Sequence, residues 1–134
     1  MTRILLIEDN KQLRDITTRI LAMAGYKVLA ADSGTLGVQA WRDHGADLVL
    51  TDVQLAGIDG FDVINEIRAT APGLPVILMS GDAKAGADLR CHTDQLHPVS
   101  FLAKPFLRTE LLAVVTAALS TGPAADASKP MNPL

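Results

Sequence analysis

The sequence predicts an α/β domain built on a parallel sheet of five strands. Short apolar runs alternate with helix-period segments along the chain, the pattern of repeated strand–helix–strand units. The first run, "RILLI" (3–7), is short and continuous, as expected of a strand covered on both faces, and "DLVLT" (47–51) and "PVILMS" (75–80) are later strands. The chain has 134 residues, 49% hydrophobic and 20% charged, enough for one ordinary domain with a real core.

The elements follow in order. After "RILLI", residues 11–24 put Leu13, Ile16, Ile20 and Met23 on one helical face, and Gly25 suits a left-handed cap. "YKVLAA" (26–31) is the second strand. Ser33 can cap a helix running to about Asp43, with Val38 and Trp41 inward and Gly45 closing it. "DLVLT" is the third strand. "FDVINEIR" (61–68) spaces Phe61, Ile64 and Ile67 as a helix does. "PVILMS" is the fourth strand and "VSFLAK" (99–104) the fifth. Between them, residues 81–98 should hold the fourth of five helices, although Gly86 and the polar content weaken its signal. "RTELLAVVTAALS" (108–120) is an amphipathic fifth helix. The domain is expected over 1–120. Residues 121–134, rich in Ala and Pro with little to bury, read as a disordered tail.

Composition excludes several classes. The net charge of −3 gives no basic footprint for nucleic acid and nothing that draws the chain to an anionic membrane. Cys91 is the only cysteine, so no internal disulfide can form. No apolar run approaches the ~20 residues of a membrane span, and the N-terminus lacks a cleavage site of the secretory kind. The expectation is a cytoplasmic protein. His44, His92 and His97 have neither the spacing nor the thiol partners of a zinc site.

The chemistry lies just after the strands. The first strand is followed by Glu8 and Asp9. The third ends on Asp52, the fourth on Ser80, and the fifth on Lys104 before Pro105. Parallel strands put these ends on one edge of the sheet. If the first and third strands are neighbours, Glu8, Asp9 and Asp52 share a crevice and raise one another's pKa. A hard divalent cation with oxygen ligands, Mg²⁺ or Mn²⁺, removes that repulsion. Lys104 adds a point charge suited to phosphate, and Ser80 adds a hydroxyl. A carboxylate nucleophile with this company makes a phosphoryl-transfer site. Singly, each residue has a plain reading: Glu8 and Asp9 a solvated helix start, Asp52 a loop acid, Lys104 a surface cation, Ser80 a turn former. Their joint placement favours a site.

The pieces "LLIEDN", "DLVLTDVQLAGIDG", "PVILMSG" and "FLAKPF" stand in order over residues 3 to about 120. Together they resemble the receiver domain of bacterial two-component response regulators. The resemblance implies the flavodoxin-like, CheY-like fold with strand order 2-1-3-4-5. It implies that Asp52 is the phosphoacceptor. Glu8, Asp9, Asp52 and the backbone carbonyl of Gln54 would hold Mg²⁺. Ser80 would be the switch hydroxyl, Lys104 the lysine paired with Asp52, and the Lys104–Pro105 bond cis. Phe101 stands at the switch aromatic, where a core role is an equal reading. Gln54 and Asp82 flank the phosphoryl group and tune its lifetime, and Gly60 has a structural role. Leu55-Ala56 departs from the Met-Pro of many receivers. The partners implied are a sensor histidine kinase or a histidine phosphotransfer protein and an unidentified downstream protein. That protein would read the helix-four, strand-five and helix-five surface of a stand-alone monomer or transient homodimer. Two alternatives stand beside this reading: a receiver module cut from a DNA-binding regulator or hybrid kinase, and a phosphatase of the haloacid dehalogenase type. The second wants a general acid two residues after its nucleophile, where this chain has Gln54.

Overall fold

A computed structural model of the chain describes residues 2–55, 57–81 and 99–120. Five strands, β1 (Arg3–Ile7), β2 (Lys27–Ala31), β3 (Leu48–Asp52), β4 (Val76–Ser80) and β5 (Val99–Ala103), form one sheet. Its order is β2-β1-β3-β4-β5, with every neighbouring pair parallel. This is the expected architecture. Four helices are described: α1 (Lys11–Met23), α2 (Gly34–His44), α3 (Gly60–Arg68) and α4 (Arg108–Ser120). The last is the fifth helix of the sequence expectation. The helix expected within 81–98, Asp82, Ala56 and the tail 121–134 lie outside the described residues.

The continuous apolar runs are explained by two cores. Alternate residues of an inner strand point to opposite faces. Leu5, Ile7, Val49, Val76 and Leu78 pack with Val38 of α2 and with Val63, Ile64 and Ile67 of α3. Ile4, Leu6, Leu48, Leu50, Ile77 and Met79 pack on the other face with Leu21 of α1 and with Leu111, Val115 and Ala118 of α4. Each fully buried Leu or Ile contributes about 1.5–3 kcal/mol. Trp41 is half-buried against the first core.

Polar side chains cap the helix starts, Ser33 as expected. Asn10 accepts from the Leu13 N–H, Ser33 from the Leu36 N–H, and Asp59 forms a reciprocal box with Asp62. Gly25 and Gly45 follow α1 and α2 at φ of 99° and 71°.

One expectation is corrected. The predicted inward face of α1 included Ile16 and Met23, but these are 56% and 72% exposed, and Thr17 and Leu21 are the buried pair. The short connection from β1 fixes how the helix enters. Asn10 caps it, and the Arg14 guanidinium reaches back to the Glu8 carbonyl oxygen at 2.8 Å. The helix is thereby rolled so that the side carrying Thr17 and Leu21 meets the sheet. Among the described residues, no helix is long and apolar enough to cross a membrane.

Candidate functional site

The parallel register decides where the charged residues meet. Ile7 is level with Thr51, Asp52 with Met79, and Ser80 with Ala103. The residues after β1, at the end of β3 and β4, and after β5 therefore crowd one edge of the sheet. Crossover helices begin there, and such an edge is where open α/β sheets bind ligands.

The centre of the cluster is a lysine shared by two acids. Lys104 Nζ donates to Glu8 Oε1 and to Asp52 Oδ2, each at 2.7 Å. Glu8 is only 1% exposed and Asp52 is also buried, while Lys104 is 19% exposed at its side chain. These short contacts are charge-assisted hydrogen bonds in a desolvated setting. The remaining Glu8 oxygen, Oε2, accepts the Asn10 N–H at 3.0 Å. Burial pushes the Glu8 pKa up, and the bonds from Lys104 and Asn10 offset this only in part. For Lys104, burial pulls the pKa down, but its bonds to Asp52 and Glu8 and their charges outweigh it, so the net shift is upward.

Asp52 is held from below as well. Its Oδ1 accepts the Gln54 N–H at 3.3 Å. The backbone beyond it turns back at once, and the Gly60 N–H donates to the Val53 carbonyl at 2.8 Å. A Cβ on Gly60 would collide with the Asp52 carbonyl oxygen and lie 3.0 Å from Val53 Cα. Only glycine allows α3 to start so close to the end of β3.

One carboxylate oxygen from each of Glu8, Asp9 and Asp52 lies within 4.8 Å of the other two. Three carboxylates against one ammonium leave excess negative charge, and the donors are all hard oxygens, a set that fits Mg²⁺ or Mn²⁺. Ser80 is buried, and its carbonyl accepts the Lys104 N–H at 2.8 Å. The Lys104–Pro105 bond is cis. Phe101 is half-buried against the α2–α3 core. Gln54 is exposed beside Asp52.

Two contributors have no counterpart in the sequence expectations: Asn10, through its N–H on Glu8, and Arg14, through its bond to the Glu8 carbonyl. The first is a main-chain donor and leaves no side-chain signature. The second had one: a cation in a helix's first turn runs against the helix dipole.

Comparison with known proteins bears on this arrangement. A family profile described as "Response regulator receiver domain" matches residues 4–116. The transcriptional regulatory protein CusR of Escherichia coli (strain K12) is 31% identical over 122 residues, 91% of this chain and 53% of that protein. The virulence sensor protein BvgS of Bordetella pertussis is 36% identical over 140 residues, 96% of this chain and 11% of that protein. The chain thus spans about half the length of CusR and a small part of BvgS. Among solved structures, the non-phosphorylated HemR receiver domain of Leptospira biflexa superposes with a TM-score of 0.81 at 29% identity, covering 90% of this chain and 95% of that one. Chemotaxis protein CheY4 of Vibrio cholerae gives a TM-score of 0.82 at 21% identity, covering 89% and 99%, and shows a shared fold.

Proposed function

The chain belongs to the response regulator receiver domain family of two-component signalling, and on that premise we propose that Asp52 accepts a phosphoryl group from a phosphohistidine. The donor is a sensor histidine kinase or a histidine phosphotransfer protein. The observation that carries this reading is the double ion pair of Lys104 with Asp52 and Glu8, with Asp9 close by. It supplies a carboxylate nucleophile, a cation and an acidic cluster in one pocket.

In the proposed step an Asp52 carboxylate oxygen attacks phosphorus. The P–N bond breaks, and its electron pair stays on the imidazole, which takes a proton from solvent. Glu8, Asp9, Asp52 and the Gln54 carbonyl would hold Mg²⁺, which when bound neutralises charge on the phosphoryl oxygens. Lys104 keeps one ammonium beside the acceptor oxygen and orients it before transfer. Ser80 offers its hydroxyl to the transferred group. Gln54 and Asp82 tune how long the group persists. The modification adds about −1.5 to −2 charges. Rearrangement of Ser80, Phe101 and Lys104 then biases the surface of β5 and α4 toward a downstream protein. The domain acts as a switch on its own phosphorylation state in the cytoplasm, with no direct contact to nucleic acid or membrane.

Acetyl phosphate with Mg²⁺ tests the assignment. Wild type should gain one base- and hydroxylamine-labile phosphoryl group by mass spectrometry, and Asp52→Asn should gain none. Equal labelling of Asp52→Asn would overturn it. A second reading, a module working inside a longer regulator or sensor, is favoured by the shares of CusR and BvgS that the chain covers. The length of the natural open reading frame decides between them.

A further inference from the structure

We infer that Arg14 is a positioning residue for the divalent cation: by gripping the main chain between Glu8 and Asp9 it aims the Asp9 carboxylate into the pocket. This inference rests on the proposed Mg²⁺ site.

Arg14 is in the first turn of α1, where the helix dipole disfavours a cation. Its neighbour Lys11 is offset by an exposed pair with Asp15 at 2.8 Å. Arg14 instead turns back over the helix start, and its Nη1 donates to the Glu8 carbonyl oxygen at 2.8 Å. The Glu8 main chain is then held at both its polar groups, since its N–H donates to the Ala31 carbonyl at 3.0 Å. The Arg14 N–H donates to the Asn10 carbonyl at 2.9 Å, so the loop of residues 8–10 is closed by one residue acting twice.

Glu8 does not need this help to stay in place. Its oxygens are bound by Lys104 and by the Asn10 N–H. Asp9 does need it. It is exposed, yet one of its carboxylate oxygens lies within 4.8 Å of those of Glu8 and Asp52. Among the described residues no hydrogen bond holds its side chain, so the course of its backbone directs it there, and the carbonyl gripped by Arg14 belongs to the peptide group that leads into Asp9. Groups that orient metal ligands typically matter by about 10–100-fold in metal affinity.

Charge alone predicts the opposite sign. Removing a guanidinium near an acidic pocket should strengthen cation binding, whereas removing the grip should weaken it. Calorimetric titration of the unphosphorylated full chain with Mg²⁺ separates the two. Arg14→Ala should weaken Mg²⁺ binding about tenfold while its circular dichroism in EDTA matches wild type. Arg14→Lys, which keeps the charge but loses the planar fork, should fall between them. It also serves as the reporter if Arg14→Ala does not fold. Unchanged or tighter binding in a folded Arg14→Ala, or unchanged binding in Arg14→Lys, overturns the inference. Asp9→Asn, measured alongside, should lose most of its affinity. If it binds as wild type does, the fault lies with the Mg²⁺ site itself rather than with Arg14.

Discussion

At Glu8 a nearly fully buried carboxylate is kept ionisable by one lysine and one main-chain N–H. Its raised pKa means that ionisation costs stability. Its favourable contribution is complete below the ordinary 4.5 and is lost as pH rises through the folded value. Lys104 opposes that loss. With its own pKa raised, its contribution holds below 10.5 and fades only as pH climbs past the folded value. Lys104→Met should therefore cost about 3 kcal/mol at pH 7 in EDTA, by leaving Glu8 and Asp52 without a cation. The loss should shrink at pH 4, where Glu8 takes up a proton, and urea denaturation at the two pH values measures the difference. The residue types of this site were legible in the sequence, because Glu8, Asp9, Asp52 and Lys104 each follow an apolar run. That one lysine serves two acids was not, because the distance between Glu8 and Lys104 depends on how four strands line up.

Among the elements, α3 depends on its first residue. Gly60 abuts the main chain of Asp52, so Gly60→Ala forces either the helix or the strand end to move. Overpacking of this kind costs typically 1–3 kcal/mol. The variant should lose about 2 kcal/mol in urea denaturation, and its labelling by acetyl phosphate should slow, because the displacement lands on the proposed acceptor. Asp59 and Asp62 box the same helix start. The strands and the Ser33 cap were readable from local pattern, and Asn10 and Asp59 likewise accept from the N–H three residues on. The inward side of α1 was not. Its apolar residues outnumber the positions that the sheet can cover, and the choice of Thr17 over Ile16 follows from entry geometry rather than from hydropathy.

For the whole molecule, alternate residues of each inner strand are divided between two cores. The continuous first run announced that both its faces would be covered, but such a run says nothing about which strands are neighbours. The order came from resemblance and is now seen in the ladders of β1 with β2 and with β3. Because Mg²⁺ is proposed to bind only the folded arrangement, it should stabilise the chain by mass action. At a hundredfold excess over Kd the gain is about 2.7 kcal/mol, or roughly 10 °C in Tm by scanning calorimetry. Asp9→Asn should lose most of that increment. The placement of Asp52 has a mechanical consequence. Its strand is laddered on both sides, the Val53 N–H is bound to the Met79 carbonyl, and the turn beyond is latched by Gly60. The proposed acceptor is thus the fixed jaw of a vice. On the proposed function, a group arriving there finds an anvil that does not yield, so the travel would belong to the opposite jaw, carried by side chains from β4 and β5.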